Sequence, residues 1–190
     1  MTQRPDILVL FAHLAIGHSK INRAMLAALD DLPRVRLHDL LETYPDFYID
    51  VEHEQAMLRE VDLVVFQHPV YWYGLPAIMK HWLDCVFTQG FAFGSGGVAL
   101  RGKALLQACS TGAQADAYRP GGIHHYPMDQ LLLPMRAVAR FCGMRYLEPL
   151  VVHGGHRLPE ADIADHAARY RRILADYRHD TDDAVASGGG

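Results

Sequence analysis

Four short apolar runs, separated by amphipathic segments, constrain the fold of this chain more than any other feature of its sequence. The runs are ILVLFA at 7–12, DLVVFQ at 62–67, KALLQACS at 103–110 and RYLEPLVV at 145–152. Each is too short for a helix and too continuously apolar for a strand with one exposed face. Strands that are covered on both faces have this composition. RVRLHDL at 34–40 predicts a fifth, weaker strand.

Amphipathic helices are predicted between these strands. They share apolar residues at helical spacing on one face, and they cover residues 19–29, 51–61, 75–87, 127–143 and 159–180. Ser19 is a predicted N-cap, and Pro134 predicts a kink within the fourth helix. Alternating strands and helices favour right-handed crossovers. We therefore predict an α/β fold of three layers, in which a doubly wound, five-stranded parallel sheet has the flavodoxin-like order 2-1-3-4-5.

Length and composition are those of an ordinary globular protein. The chain has 190 residues, of which 50% are hydrophobic and 21% are charged, and no repeat or low-complexity linker divides it. We predict a single flavodoxin-like domain over residues 1–180. Residues 181–190 are predicted to be a flexible tail, because the C-terminal segment is small, polar and glycine-ended.

Charge and hydropathy bear on partners and on location. The formal net charge is −4, and no Lys or Arg cluster is dense enough to follow a phosphate backbone, so nucleic-acid binding is not expected. No segment approaches the roughly 20 apolar residues of a membrane span, and the N-terminal apolar run is too short for a signal peptide. Three widely spaced cysteines suit reduced thiols. We expect a cytoplasmic protein.

Three loops should meet at the carboxyl edge of the sheet, where ligands of doubly wound folds bind. The first, HLAIGHSK at 13–20, leads into a helix start, and there is no Asp or Glu from Ile7 to Leu29. A helix N-terminus offers free N–H groups and partial positive charge, so this loop can bind a phosphate. An ordinary capped helix with surface histidines would have the same sequence.

The second loop, HPVYWYGLP at 68–76, carries Tyr71, Trp72 and Tyr73 on a short irregular segment. Aromatic side chains beside backbone N–H donors suit a flat conjugated ring such as isoalloxazine. Core packing or a dimer interface would use the same residue types.

The third loop, STGAQADAYRPGGIHHYP at 110–127, is long for an α/β connection, and long loops in compact domains are often functional. It begins with small, donor-rich residues and carries Tyr118 and His124 further on. A His can titrate near neutral pH, and a Tyr hydroxyl can donate to a developing anion. Taken singly, each is more often a surface residue.

Other motifs are weaker. GVALRGKA at 97–104 resembles a phosphate-binding loop, but it ends in Ala104 and leads into a strand instead of following one. The twelve histidines include neither a helical i,i+4 pair with Glu nor a companion Cys cluster, so no metal site is predicted. A G-x-S-x-G elbow is absent, which disfavours a serine hydrolase.

Over about residues 5–175 the chain resembles the flavodoxin-fold NAD(P)H:quinone oxidoreductases, especially the bacterial ancillary subunits of glutathione-regulated potassium-efflux systems. The resemblance is strongest in ETYPDFYID at 42–50, VDLVVFQHPVYWYGLPAIMKHWLDCVF at 61–87, GFAFGSGGVALRGK at 90–103 and FCGMRYLEPLVVHG at 141–154. A colinear match of this length is more specific than any single motif.

The resemblance implies a flavin site built from the three loops. The matching residues are His13, Ser19, Lys20, Ile21 and Asn22 for the phosphate and ribityl chain, Pro69, Val70, Tyr71, Trp72 and Tyr73 for the ring, and Ser110, Thr111, Gly112 and Ala113 for a second flavin-contacting turn. Tyr118 and His124 match the catalytic Tyr and His of the mammalian members by their spacing from Thr111. The chain departs from the family at Leu14, where Pro is usual, and at Ala113, where Gly is usual.

The resemblance also implies an activity. It indicates FMN, with FAD as the alternative, and two-electron reduction of quinones or other small electrophiles by a ping-pong reaction with NAD(P)H as co-substrate. A homodimer is implied as well. The alternative function is a regulatory ancillary subunit with secondary redox activity, which would associate peripherally with a potassium-efflux antiporter at the inner face of the cell membrane. A one-electron carrier of the flavodoxin type is a third possibility.

Overall fold

A parallel sheet passes through the segments that the sequence predicts as strands. The structure, a computed structural model, describes residues 6–178. Its strands are β1 (Ile7–Phe11), β2 (Val35–Asp39), β3 (Leu63–Pro69), β4 (Ala104–Ser110), β5 (Arg145–Tyr146) and β6 (Leu150–Val152). The order is β2-β1-β3-β4-β5, all pairings are parallel, and β6 also pairs with β4. The predicted α/β class and strand order are confirmed.

Helices cover both faces of this sheet. They are α1 (Lys20–Ala27), α2 (Leu40–Thr43), α3 (Val51–Glu60), α4 (Ala77–Val86), α5 (Met128–Leu131), α6 (Leu133–Phe141) and α7 (Glu160–Asp176). Alternate residues of β1 point to opposite faces, so Leu8 packs in a core with α3, α4 and α6, while Val9 packs in a second core with α1 and α7. Every residue of β1, β3 and β4 is buried, as their continuous apolar sequences predict.

Two predicted elements are each divided in the structure. The strand predicted over 145–152 becomes β5 and β6, and the interruption includes Pro149, which has no N–H to donate to the sheet. The helix predicted over 127–143 becomes α5 and α6, which are separated at Leu132. Pro134 thereby falls in the first turn of α6, where its missing N–H removes no intrahelical bond.

A buried carboxylate joins α3 to its neighbours. Glu54 is fully buried and accepts hydrogen bonds from Tyr44 Oη at 2.5 Å and from Trp82 Nε1 at 2.8 Å, and its Oε1 lies 2.8 Å from His38 Nε2. Burial raises the pKa of this carboxyl group, but the hydrogen bonds from His38, Tyr44 and Trp82 outweigh it, and the net pKa is lowered. The ionised carboxylate therefore links β2, the end of α2 and α4.

The boundary at residue 180 and the flexible tail predicted for residues 181–190 lie outside the described residues. Within residues 6–178, no helix has both the length and the apolar content that a membrane crossing requires.

Candidate functional site

The carboxyl ends of the strands align, so the loops that follow them meet at one edge of the sheet. In the register of the sheet, Ser110 at the end of β4 pairs with Pro69 at the end of β3 and with Val152 at the end of β6. Val70 N continues this alignment by donating to Ser110 O at 2.8 Å. Two cavities open at this edge, with volumes of about 320 Å³ and 420 Å³.

The smaller cavity lies beside the start of α1 and is called here the nucleotide cavity, after the ligand proposed for it below. Its lining comes from the loops after β1, β3, β4 and β6, and comprises His13, Ala15, His18, Ser19, Ile21, Pro69, Val70, Tyr71, Ser110, Thr111, Gly112, Gly155 and His156. These side chains include hydroxyls and imidazoles but no carboxylate. The cavity is therefore suited to an anion.

The start of α1 is fixed by a buried polar network. Ser19 caps the helix, and its Oγ accepts from the backbone N–H of Asn22 at 3.3 Å. Asn22 Nδ2 donates to Ser19 Oγ and to Ser110 Oγ, both at 2.9 Å. The network holds the end of β4 against the helix start and leaves the first backbone N–H groups of α1 available to a ligand.

His13 lies in the loop before α1 and lines the nucleotide cavity. Its Nδ1 accepts from Ala15 N at 3.0 Å, so the neutral imidazole carries its proton on Nε2. Burial lowers the pKa of His13, and repulsion from a protonated His156 lowers it further. The edge of the His13 ring faces Tyr71, with ring centroids 6.1 Å apart.

The aromatic segment after β3 forms a tight turn. Tyr71 N donates to Gly74 O at 3.2 Å and Gly74 N donates back to Tyr71 O at 3.0 Å, which leaves Trp72 and Tyr73 at the two central positions. Both have positive φ, 47° and 67°, which bulky side chains rarely adopt. Strain of this kind is often found in ligand-binding segments. Trp72 is 95% exposed, so its side chain is presented to solvent and does not pack in the core.

The larger cavity, called here the apolar cavity, lies on the other side of this turn. It is lined by residues 70–75, by Lys80 and Leu83 of α4, and by residues of α5 and α6. Val70 and Tyr71 line both cavities, so the turn is the wall between them. That the aromatic segment bounds a flat ligand stays a prediction.

Two buried polar side chains lie at the base of the apolar cavity. Gln107 Nε2 is 3.4 Å from His68 Nε2, and Gln107 Oε1 accepts from Tyr146 Oη at 2.7 Å. His68 Nδ1 lies 3.0 Å from Pro69 O, an arrangement that requires the proton on Nδ1. Burial lowers the pKa of His68 to about 4, so this imidazole is neutral at physiological pH.

The third loop brings Tyr118 and His124 together. Their rings stack with centroids 4.4 Å apart, and His124 Nδ1 lies 3.2 Å from Tyr73 Oη. Burial raises the pKa of Tyr118, and a hydrogen bond with Thr111 opposes this shift. Neither ring lines either cavity. The pair instead lies beside Tyr73 and Thr111, which do.

A fourth loop, after β6, contributes residues that the sequence analysis missed. Thr111 Oγ1 donates to Ala113 O at 2.8 Å and lies 3.0 Å from His153 Nδ1, and His156 lines the nucleotide cavity. The available signal was the predicted strand end at residue 152, because any loop after a strand of this sheet reaches the same edge. The sequence-based prediction places the site in the loops after strands 1, 3 and 4, and it therefore omits this loop.

The remaining predicted residues occupy several places. Asn22 is buried behind the cavity, and Lys20 lies in a separate depression between α1 and α7 with Arg23 and Glu160. Trp72 and Tyr73 line the apolar cavity instead of the nucleotide cavity. Ala113, which replaces the usual Gly, is not among the residues with positive φ, so its Cβ causes no backbone strain.

Comparison with known proteins identifies the family to which this fold belongs. A model of the flavodoxin-like fold family matches residues 5–174. The chain belongs to this family. The match spans all six strands and all of the loops at the carboxyl edge, so the cavities described above lie entirely within the family's fold.

Individual members of the family are also similar over nearly the whole chain. The glutathione-regulated potassium-efflux system ancillary protein KefG of Pectobacterium carotovorum is 44% identical over 175 residues, which cover 92% of this chain and 96% of that protein. KefG of Yersinia pestis is 42% identical over 174 residues, with the same coverage.

Solved structures give the same fold under several names. General stress protein 14 of Treponema denticola, in complex with FMN, has a TM-score of 0.84 and 33% identity, covering 90% of this chain and 98% of that one. An NADPH-quinone reductase from P. pentosaceus has a TM-score of 0.83 and 29% identity, covering 91% and 99%. A chain described as a thermophilic tryptophan halogenase from Streptomycin violaceusniger has a TM-score of 0.86 and 42% identity, covering 90% and 99%.

Proposed function

We propose that this protein is a flavin-dependent NAD(P)H:quinone oxidoreductase that binds FMN in the nucleotide cavity. The observation that carries the proposal is the placement of this acid-free cavity between the start of α1 and the aromatic turn. One end offers N–H and hydroxyl donors to a phosphate, and the other offers a wall to a planar ring. Its volume of about 320 Å³ is within the range of small-ligand sites.

The residues present fit a phosphorylated flavin. Ser19 and the first backbone N–H groups of α1 would hold the phosphate, where the helix dipole favours negative charge. Val70 and Tyr71 would bound one side of the ring, and the turn at Thr111 and Gly112 the other. The family member from Treponema denticola was solved with FMN, which favours FMN over FAD for this chain.

The chain's own residues would then handle protons and orientation. When bound, the flavin would supply two-electron chemistry, with NAD(P)H as donor and a quinone or related small electrophile as acceptor. His124 would hold a proton near the charge that develops during reduction, in an orientation fixed by Tyr73 and by stacking on Tyr118. Thr111 would couple the Tyr118 hydroxyl to His153. Trp72 and Tyr73 would limit access to the edge of the site.

Steady-state kinetics test the activity. The purified protein with added FMN should oxidise NADPH or NADH only when a naphthoquinone is also present, and initial rates at several fixed quinone concentrations should give parallel double-reciprocal lines. Omission of FMN from material stripped of flavin should abolish the rate. Flavin-loaded protein that oxidises neither nucleotide with any quinone would contradict the enzymatic function.

A second candidate function has its own support. The relatives at 44% and 42% identity are named as ancillary proteins of a potassium-efflux system, so this chain is a candidate regulatory subunit that binds an antiporter at the inner face of the membrane. Co-purification with the antiporter tests it. A variant with both Tyr118→Phe and His124→Ala should still bind if the docking role is independent of redox activity, and loss of binding would tie the two together.

We also propose a homodimer. Residues of α6 line the apolar cavity, and on the same helix Leu133 is 49% exposed and Phe141 is 70% exposed. Trp72, which also lines this cavity, is almost fully exposed. A second copy of the chain would cover these side chains. Sedimentation equilibrium should give about twice the chain mass of 21.3 kDa, and Phe141→Glu should shift it to the monomer. A monomeric wild-type protein would contradict this assembly.

A further inference from the structure

His156 is positioned against the start of α1 by the loop after β6. Gly155 N donates to Thr111 O at 2.9 Å, and a Cβ on Gly155 would lie 3.0 Å from Cγ2 of Ile21 in the first turn of α1. On the other side, Cδ2 of His156 lies 3.5 Å from the position of a Cβ on Gly112. The backbone before His156 is therefore held against the first turn of α1, and its imidazole lies against the turn after β4 and lines the nucleotide cavity.

This imidazole is available to a ligand. Among residues 6–178 it has no hydrogen-bond partner, and it is exposed at the mouth of the cavity. His13 and His18 line the same cavity, whose lining contains no carboxylate. Within the described part of the chain, no group of His, Cys, Asp or Glu side chains is arranged to hold a metal ion. The donors gathered here are those of an anion site.

We propose that His156 binds the phosphate of the nucleotide and, through its own protonation, makes retention of phosphorylated flavin depend on pH. The inference rests on the proposed function, and it adds a specific recognition residue outside the three loops that the sequence indicates. A dianionic phosphate next to an imidazole favours the imidazolium, so binding takes up a proton. Because binding takes up a proton, the affinity for FMN should rise as the pH falls from about 8.5 to 6.5.

The charged groups around His156 favour stronger FMN binding at lower pH. Those on the elements packed around it are His13 and His18 before α1, Lys20 and Arg23 in α1, Asp116 and Arg119 after β4, and His153, Arg157 and Glu160 between β6 and the first turn of α7. Of these, only His13 and His18 share the cavity lining with His156. Because both are imidazoles, protonation adds positive charge at this site without a cavity carboxylate to neutralise it.

The test compares FMN with riboflavin, which has the same ring and ribityl chain but no phosphate. Flavin fluorescence quenching gives the dissociation constants for the full-length protein at pH 6.5, 7.5 and 8.5. The variant His156→Gln removes the titratable group at similar size, and His53→Gln removes an imidazole from an exposed position of α3 as a matched control. Inorganic phosphate serves as a competitor for FMN.

We expect His156→Gln to weaken FMN binding about tenfold at pH 6.5 and to flatten its pH dependence, while riboflavin binding changes by less than about twofold. His53→Gln should behave as the wild type. Inorganic phosphate should displace FMN from the wild type at lower concentration than from His156→Gln.

Three other results would count against the inference. Equal FMN affinity and pH dependence in wild type and His156→Gln would overturn it. An equal loss of affinity for riboflavin and for FMN would also overturn it, because a residue that only shapes the cavity affects both flavins alike. Failure of wild-type protein to quench either flavin would overturn the proposed function itself, and the inference with it.

Discussion

The imidazole of His124 stacks on the ring of Tyr118, with centroids 4.4 Å apart and an interplanar angle of 20°. The same imidazole lies 3.2 Å, through Nδ1, from the hydroxyl of Tyr73 on the neighbouring loop. Two loops that follow different strands are thus joined by one titratable side chain. The arrangement fixes the ring in position before any ligand enters.

This pairing predicts a selective loss of rate. Tyr118→Phe combined with His124→Ala should lower the turnover of quinone about 100-fold, because general acid catalysis and charge stabilisation contribute effects of this size. Flavin affinity should change by less than about twofold, since neither ring lines the nucleotide cavity. The rate of quinone reduction at saturating NADPH, followed by stopped-flow absorbance, measures this turnover. Unchanged turnover in the double variant would remove both residues from the mechanism.

The two tryptophans should differ sharply in their effect on stability. Trp82 is fully buried against Phe66, so Trp82→Ala should lower the free energy of unfolding by about 3–5 kcal/mol. Trp72 is 95% exposed and has positive φ. Trp72→Gly should therefore leave the free energy of unfolding unchanged or raise it by up to about 1 kcal/mol. Urea unfolding of both variants provides the comparison. A large destabilisation by Trp72→Gly would mean that the turn contributes to the core.

Glu54 is expected to be the most costly single charge to remove. Glu54→Gln places an amide opposite the donors of Tyr44 and Trp82, and should lower the free energy of unfolding by about 3 kcal/mol at pH 7. Glu52→Gln, at an exposed position of the same helix, should change it by less than about 0.5 kcal/mol. Denaturant titration measures both. Equal stabilities for the two variants would contradict the role of the buried network.

The buried imidazole of His68 should contribute to the pH dependence of the free energy of unfolding. Its pKa falls from about 6.5 in the unfolded chain to about 4 in the folded protein. Between these values the unfolded state binds more protons, so His68 stabilises the fold above about pH 6.5, and this contribution is lost as the pH falls toward 4. The shift corresponds to about 3 kcal/mol.

A comparison of variants isolates this contribution. The free energy of unfolding of His68→Asn should decline less between pH 7 and pH 4 than that of the wild type. His53→Asn, at an exposed position, should follow the wild type. Identical slopes for His68→Asn and the wild type would show that the buried imidazole does not titrate in this way.

The sheet was predictable because its central strands are buried on both faces. β1, β3 and β4 read as continuous apolar runs, and their parallel order follows from the alternation with helices. The divisions at Pro149 and Leu132 were not predicted. A proline can kink an element, occupy its first turn or interrupt it, and the outcome depends on packing around it.

The candidate site was predictable as a position, because parallel topology brings the loops after β1, β3 and β4 to one edge. Its details were not. Nothing in the residues Trp72 and Tyr73 indicates positive φ, which is usually the role of Asn or Gly in such turns. The contribution of His153 and His156 depends on the hydrogen bonds between the loops after β4 and β6, which join segments far apart in the chain.

The most direct measurement is an equilibrium titration of flavin-free protein with FMN, followed by flavin fluorescence and by visible absorption. The account predicts saturable quenching with one FMN per chain, and a yellow protein that releases FMN on acid treatment. Protein that remains colourless in excess FMN and FAD, and that leaves flavin fluorescence unquenched, would contradict the assignment of the nucleotide cavity.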